Sequence, residues 1–114
     1  MEILKTSHDL TPVEIYDLVM TPEAGRMRDH KGERVELSAW CIYLDGDHNG
    51  EVQKLLAAKT PDGQTLTTNS TTFIDDFERM VDLFASFGQT VPALIVISGT
   101  SKAGREFITC KYSA

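Results

Sequence analysis

Four aromatic side chains and five bases are the residues of this chain whose types and positions could act together, and the chemistry they offer is non-covalent. Trp40, Tyr43, Phe107 and Tyr112 present flat rings on segments that read as strands, and Lys54, Lys59, Lys102, Arg105 and Lys111 lie on or beside those segments. A nucleobase stacked on an aromatic ring gains about 1–3 kcal/mol whatever its identity, and lysine and arginine meet phosphates. Trp40, Tyr43, Lys54, Lys59, Lys102, Arg105, Phe107 and Lys111 are therefore the candidate contacts to an unpaired polynucleotide. Each ring has a competing use, because a small sheet protein fills its interior with such side chains.

Covalent and metal chemistry find less support. Asp45, Asp47, Asn49 and Gly50 in DGDHNG follow the opening of an EF-hand loop, but its twelfth position is Leu56 instead of a bidentate glutamate, and no helix precedes it. A hairpin turn is the expectation there. GTSKAGR at Gly99–Arg105 lacks the lysine and hydroxyl of a phosphate loop and joins two strands instead of opening a helix. His8, His30 and His48 are scattered without metal-ligand spacing, Ser98 has no nucleophile elbow, and neither Cys41 nor Cys110 has a histidine placed as its base. No catalytic constellation emerges, so neither an enzyme, a metal nor a cofactor is expected.

The elements that must position the rings and bases are organised around TTFIDDFERMVDLFASF, Thr71–Phe87. Phe73, Phe77, Met80, Val81 and Phe84 recur at spacings of three and four, opposite Asp75, Asp76, Glu78 and Asp82. Hydroxyls at Ser70–Thr72 and Gly88 past the end mark its limits. Three strands are predicted before this helix: Val35–Leu44, Glu51–Thr60 and Gln64–Asn69, the last two joined by a Pro61-Asp62-Gly63 turn. The first places Val35, Leu37, Ala39, Cys41 and Tyr43 on one face and Trp40, Ile42 and Leu44 on the other. The third, QTLTTN, is polar and suits an edge or a ligand face, which leaves self-association open. Two strands follow the helix, the apolar run Ala93–Ile97 and the alternating Glu106–Tyr112.

Before Val35 the chain reads as a helical extension. Thr11-Pro12-Val13-Glu14 is a capping box with proline at the first helical position, opening a helix to about Met20 with Val13, Tyr16 and Met20 as its inner stripe. Arg26–Arg34, RMRDHKGER, is charged and non-periodic and reads as a solvated connection. The division is thus an N-terminal helical extension over 1–34 packed on a domain over 35–114. Five strands with a helix between the third and fourth, β-β-β-α-β-β, is the layout of the five-stranded OB-fold barrel, a common binder of single strands.

With 114 residues, 41% hydrophobic and 25% charged, the chain has the size and balance of one soluble domain, and no apolar run is long enough to span a bilayer. MEILKTSHD lacks the pattern of a secretion signal, so Cys41 and Cys110 are expected as reduced thiols in a cytoplasm. The net charge of −6 argues against binding nucleic acid through bulk electrostatics. It is unevenly spread: residues 1–34 hold 7 acids and 5 bases, 35–70 hold 5 and 2, 71–90 hold 4 and 1, and 91–114 hold 1 and 3. Local positive charge over a Debye length of about 8 Å is what a groove requires.

A strand ending in TNS, the helix TTFIDDFERMVDLF and the segment VISGTSKAGREFITCKY together resemble the OB-fold single-stranded DNA-binding proteins of phages and conjugative plasmids of Gram-positive bacteria. The resemblance covers about Val35–Tyr112, and LTPVEIYDL near the amino terminus is similar too. It implies coating of single-stranded DNA in phage or plasmid replication or transfer inside the bacterial host cell, without assigning contact residues. The alternative is a non-enzymatic protein-interaction module of a mobile element on the same barrel, which the acidic balance favours.

Overall fold

Strands outnumber helices in the computed structural model, which describes every residue from Met1 to Ala114. In chain order the elements are β1 (Glu2–Thr6), α1 (Pro12–Val19), β2 (Gly25–Arg26), a 3-10 turn (Met27–His30), β3 (Arg34–Glu36), β4 (Ala39–Gly46), β5 (Val52–Lys59), β6 (Thr65–Thr68), α2 (Thr71–Ser86), β7 (Ala93–Thr100) and β8 (Glu106–Ser113). One sheet has the order β1-β4-β5-β6-β2 and the other β3-β7-β8. The strand and helix order expected from Val35 onward is present, but the two sheets do not close into a barrel, because β6 and β8 share no backbone ladder.

The strand expected over Val35–Leu44 is two strands, and the break couples the sheets. β3 runs antiparallel to β7 and β4 antiparallel to β5. Leu37 still donates its N–H to Pro92 in the smaller sheet, while Ser38 already donates to Lys59 in the larger one. Crossing this bend shifts the side-chain alternation. Val35 therefore shares the main core with Ile42, and Leu37 and Trp40 pack against that core, whereas Ala39, Cys41 and Tyr43 face the other way.

α2 fills the space between the sheets. The Ser70 hydroxyl accepts the Phe73 N–H at its start, and Phe73, Ile74, Phe77 and Val81 are buried against Ile42, Leu56, Leu94 and Val96. Burying each such side chain is worth about 1.5–3 kcal/mol. The polar face is tied back to the sheet, with Lys5 against Asp82 at 2.6 Å and Lys54 against Glu78. DGDHNG forms a hairpin turn, in which the Asp47 carboxylate accepts the N–H groups of Asn49 and Glu51.

The first 34 residues are woven into the sheets instead of forming a helical annex. β1 pairs antiparallel with β4 and β2 pairs parallel with β6, so the larger sheet owes both of its edges to them. Arg26–Arg34 lies at the surface as expected, exposed except at Met27 and the half-buried His30, but it is anchored instead of free: Met27 is 0% exposed in the main core, and Gly32 and Glu33 exchange backbone hydrogen bonds with Val96. This segment passes from beside β6 to beside β7 and spans part of the gap that a β6–β8 ladder would have closed. α1 carries its expected capping box, with Thr11 and Glu14 bonded reciprocally. Its buried side is Leu18 with the half-buried Val19, over Ala39, Cys41, Tyr43 and Ala57. The predicted inner stripe is reversed, since Val13, Tyr16 and Met20 are all exposed.

Candidate nucleic-acid interface

The seam between β6 and β8 leaves a groove of about 570 Å³. Its existence follows from strand length. β6 is four residues long and ends where Asn69 and Ser70 turn into α2, so nothing of it remains to pair with the start of β8. Across the seam the Ser70 hydroxyl donates to the Ile108 carbonyl at 3.4 Å. One wall is β2 and β6: Arg26 lies beside Thr67 in the parallel register, and Thr67 donates its hydroxyl to the Gly25 carbonyl at 3.3 Å. The other wall is the beginning of β8, with Glu106 and Phe107.

Charge in this groove is positive on balance. Arg26 and Arg28 line it, both exposed and neither in an ion pair, and its one acid, Glu106, is paired with Lys31. The turn leading into Glu106 is held by Ser101, whose N–H donates to the Arg105 carbonyl and whose hydroxyl accepts the Arg105 N–H. Gly104 permits that turn with φ 81°. Lys102 and Arg105 are exposed on it, also without ion pairs. Two unpaired arginines thus line the groove, and two more unpaired cations stand on the turn that leads into its Glu106 wall.

Phe107 is the ring of the site. It is half-buried, and it lies across Gly99, its register partner on β7. A Cβ built at Gly99 would stand 2.6 Å from the Phe107 Cζ, so this seat exists only because position 99 has no side chain.

The other sequence-predicted contacts are dispersed. Trp40 packs edge-on against Phe77 with centroids 5.0 Å apart and lines a separate groove of about 390 Å³ with Leu37, Val81, Val91 and Pro92. Tyr43 is 5% exposed beneath α1, so its ring offers no free face, and burial raises the pKa of its hydroxyl. Lys54 is held by Glu78, and Lys59 faces Asp17 at 3.7 Å. Lys111 is exposed and unpaired four residues along β8 from Phe107, about 13 Å away. Tyr112 stacks on Phe84 of α2 at 4.9 Å.

Of the sequence-predicted contacts the structure places Phe107 in this groove and Lys102 and Arg105 on the turn that precedes it, and it adds Arg26 and Arg28, which sequence reasoning left in a solvated loop. A signal for them was present. It was Met27, the single apolar residue of RMRDHKGER, which the fold buries in the main core and so anchors the segment with both flanking arginines exposed. Neither thiol is poised for chemistry, since burial pushes Cys41 up to about 11 and Cys110 up to about 12. Compared with known protein families, with curated proteins and with solved structures, the chain matches none.

Proposed function

We propose that this protein binds single-stranded DNA with little sequence preference, using the groove between β6 and β8, and that it is an open variant of the OB layout. The observation that carries the reading is the sorting of its cations. Lys5, Lys31, Arg34, Lys54 and Lys59 are paired with acids, whereas Arg26 and Arg28, unpaired, line a groove containing a half-exposed ring, and Lys102 and Arg105, also unpaired, lie on the turn that leads into it; of the other unpaired cations Lys111 is further along β8 and Arg79 is on α2. Unpaired arginines and lysines are free to exchange counterions for phosphates, and Phe107 offers one base a stacking platform. The hydroxyl and amide groups of Thr67, Thr68 and Asn69 along the wall tolerate any base, in keeping with coating of a strand in phage or plasmid replication or transfer. The acids of α2 oppose this less than the net charge suggests, because Glu78 and Asp82 are offset by Lys54 and Lys5 and Asp76 accepts the Thr109 hydroxyl.

The test is titration of a labelled thymidine oligonucleotide into the wild-type protein and two double variants. Arg28→Ala with Arg105→Ala is expected to weaken binding at least tenfold, while Lys54→Ala with Lys59→Ala changes it less than about threefold. Equal losses in the two variants, or no binding by the wild type at low salt, would remove the proposal.

A further inference from the structure

α1 turns an apolar face to solvent that the fold does not explain. Val13 is 69% exposed, Tyr16 56% and Met20 54%, and they lie one turn apart on the side opposite the buried Leu18. Scattered exposed hydrophobes are ordinary, but three in line, two on an eight-residue helix and the third at its C-cap, form a strip of the kind that recognises another protein. The surroundings of the strip are of one sign. From Asp9 to Gly25 the chain holds Asp9, Glu14, Asp17 and Glu23 and no lysine or arginine. Lys59, reaching across from β5 to Asp17, is the one cation paired there, and His8 lies 4.0 Å from Glu14.

These facts select the occupant. A second copy of the chain would set four acids against four acids, and the three side chains expose only about 300–400 Å² between them, well short of the roughly 800 Å² per partner of a stable dimer. An anionic lipid surface would be repelled by the same acids. A helix with apolar residues on one side and lysine or arginine on its flanks matches both the strip and its rim. We infer that the outward face of α1 docks a basic amphipathic helix of a partner protein. This surface is distinct from the β6–β8 groove, so the inference stands whether or not the groove binds DNA.

The probe is an 18-residue peptide with leucines at i, i+3, i+4 and i+7 and lysines elsewhere, compared with a peptide of the same composition in scrambled order. Affinity is measured calorimetrically at physiological ionic strength, and the contact surface is mapped by amide chemical shifts of the full chain. The amphipathic peptide is expected to bind at least tenfold more tightly than the scrambled one, with shifts centred on Val13, Tyr16 and Met20. Tyr16→Lys is expected to erase the difference, Met20→Glu to weaken the apolar contact while adding an acid, and Arg28→Ala to leave binding unchanged. Both α1 positions are exposed, so their variants fold. Equal affinities for the two peptides would overturn the inference by reducing it to charge attraction. Shifts centred elsewhere, a full effect in Tyr16→Lys, or a homodimer that Tyr16→Lys dissociates would overturn it as well.

Discussion

The contact between Gly99 and Phe107 yields a prediction with a sign. In Gly99→Ala the new Cβ falls 2.6 Å from Cζ and 3.1 Å from both Cε atoms of the ring, so the ring must leave its seat. Overpacking of this kind costs about 1–3 kcal/mol, against which alanine recovers about 0.5–1 kcal/mol of the backbone entropy that glycine loses in a strand. The net loss is about 0.5–2 kcal/mol. For 114 residues the unfolding entropy is near 240 cal/mol/K, so Tm falls by about 2–8 °C. In a Phe107→Ala background the clash disappears, and Gly99→Ala should then raise Tm by about 2–4 °C. Thermal denaturation of wild type, both single variants and the double variant closes this cycle. A Gly99→Ala substitution that lowers Tm equally in both backgrounds would refute the argument. Because the same ring is the proposed stacking platform, Phe107→Ala and Gly99→Ala should both weaken oligonucleotide binding, the former by about 1–3 kcal/mol.

Two further outcomes follow from the core. Met27→Ala empties a fully buried site between the sheets and should cost about 2–5 kcal/mol, a loss readable from urea denaturation, whereas a solvated loop would lose less than about 0.5 kcal/mol. The thiols set an alkaline limit. Cys41 and Cys110 are held neutral by burial with pKa values raised from 9.0 to about 11 and about 12, while the unfolded chain ionises near 9. The stability they contribute is complete below pH 9 and is lost as pH rises through the folded values, so unfolding free energy should fall between about pH 9 and 12 in wild type and less steeply in Cys41→Ala. Both thiols should also resist alkylation at pH 8 until the chain unfolds.

Elements whose pattern is local were legible in the sequence, and those fixed by distant partners were not. α2 ends within a residue of its expected limits because its apolar spacing, its Ser70 cap and Gly88 all agree. β5, β6 and β8 fall where turn residues and alternation put them, while β7 runs past its apolar stretch Ala93–Ile97 to Thr100, because Ser98–Thr100 pair with the start of β8. β1 and β2 carry no such signal, since EILKT and GR become strands through pairing with β4 and β6. The barrel expectation failed at closure for a related reason: four residues of β6 are too few to reach β8, and strand order alone is silent about that ladder. On α1, apolar residues occupy most positions around the helix, so spacing supported either stripe, and the small alanines and Cys41 beneath it favoured Leu18. The division of the site has the same origin. Whether a lysine is free depends on acids brought up by the tertiary fold, Glu78 for Lys54 and Asp17 for Lys59, and neither is a sequence neighbour.

The salt dependence of binding to a single strand tests the central claim most directly. Four phosphate contacts, from Arg26, Arg28, Lys102 and Arg105, give a slope of log affinity against log salt of about −2.8, or a loss of about 50-fold between 50 and 200 mM. The account predicts that slope for a thymidine oligonucleotide, a reduction of about 0.7 on removing any one of the four cations, and weaker binding to duplex DNA of the same length, whose stacked bases cannot reach Phe107. A slope near zero, or one unchanged by all four substitutions, would contradict it.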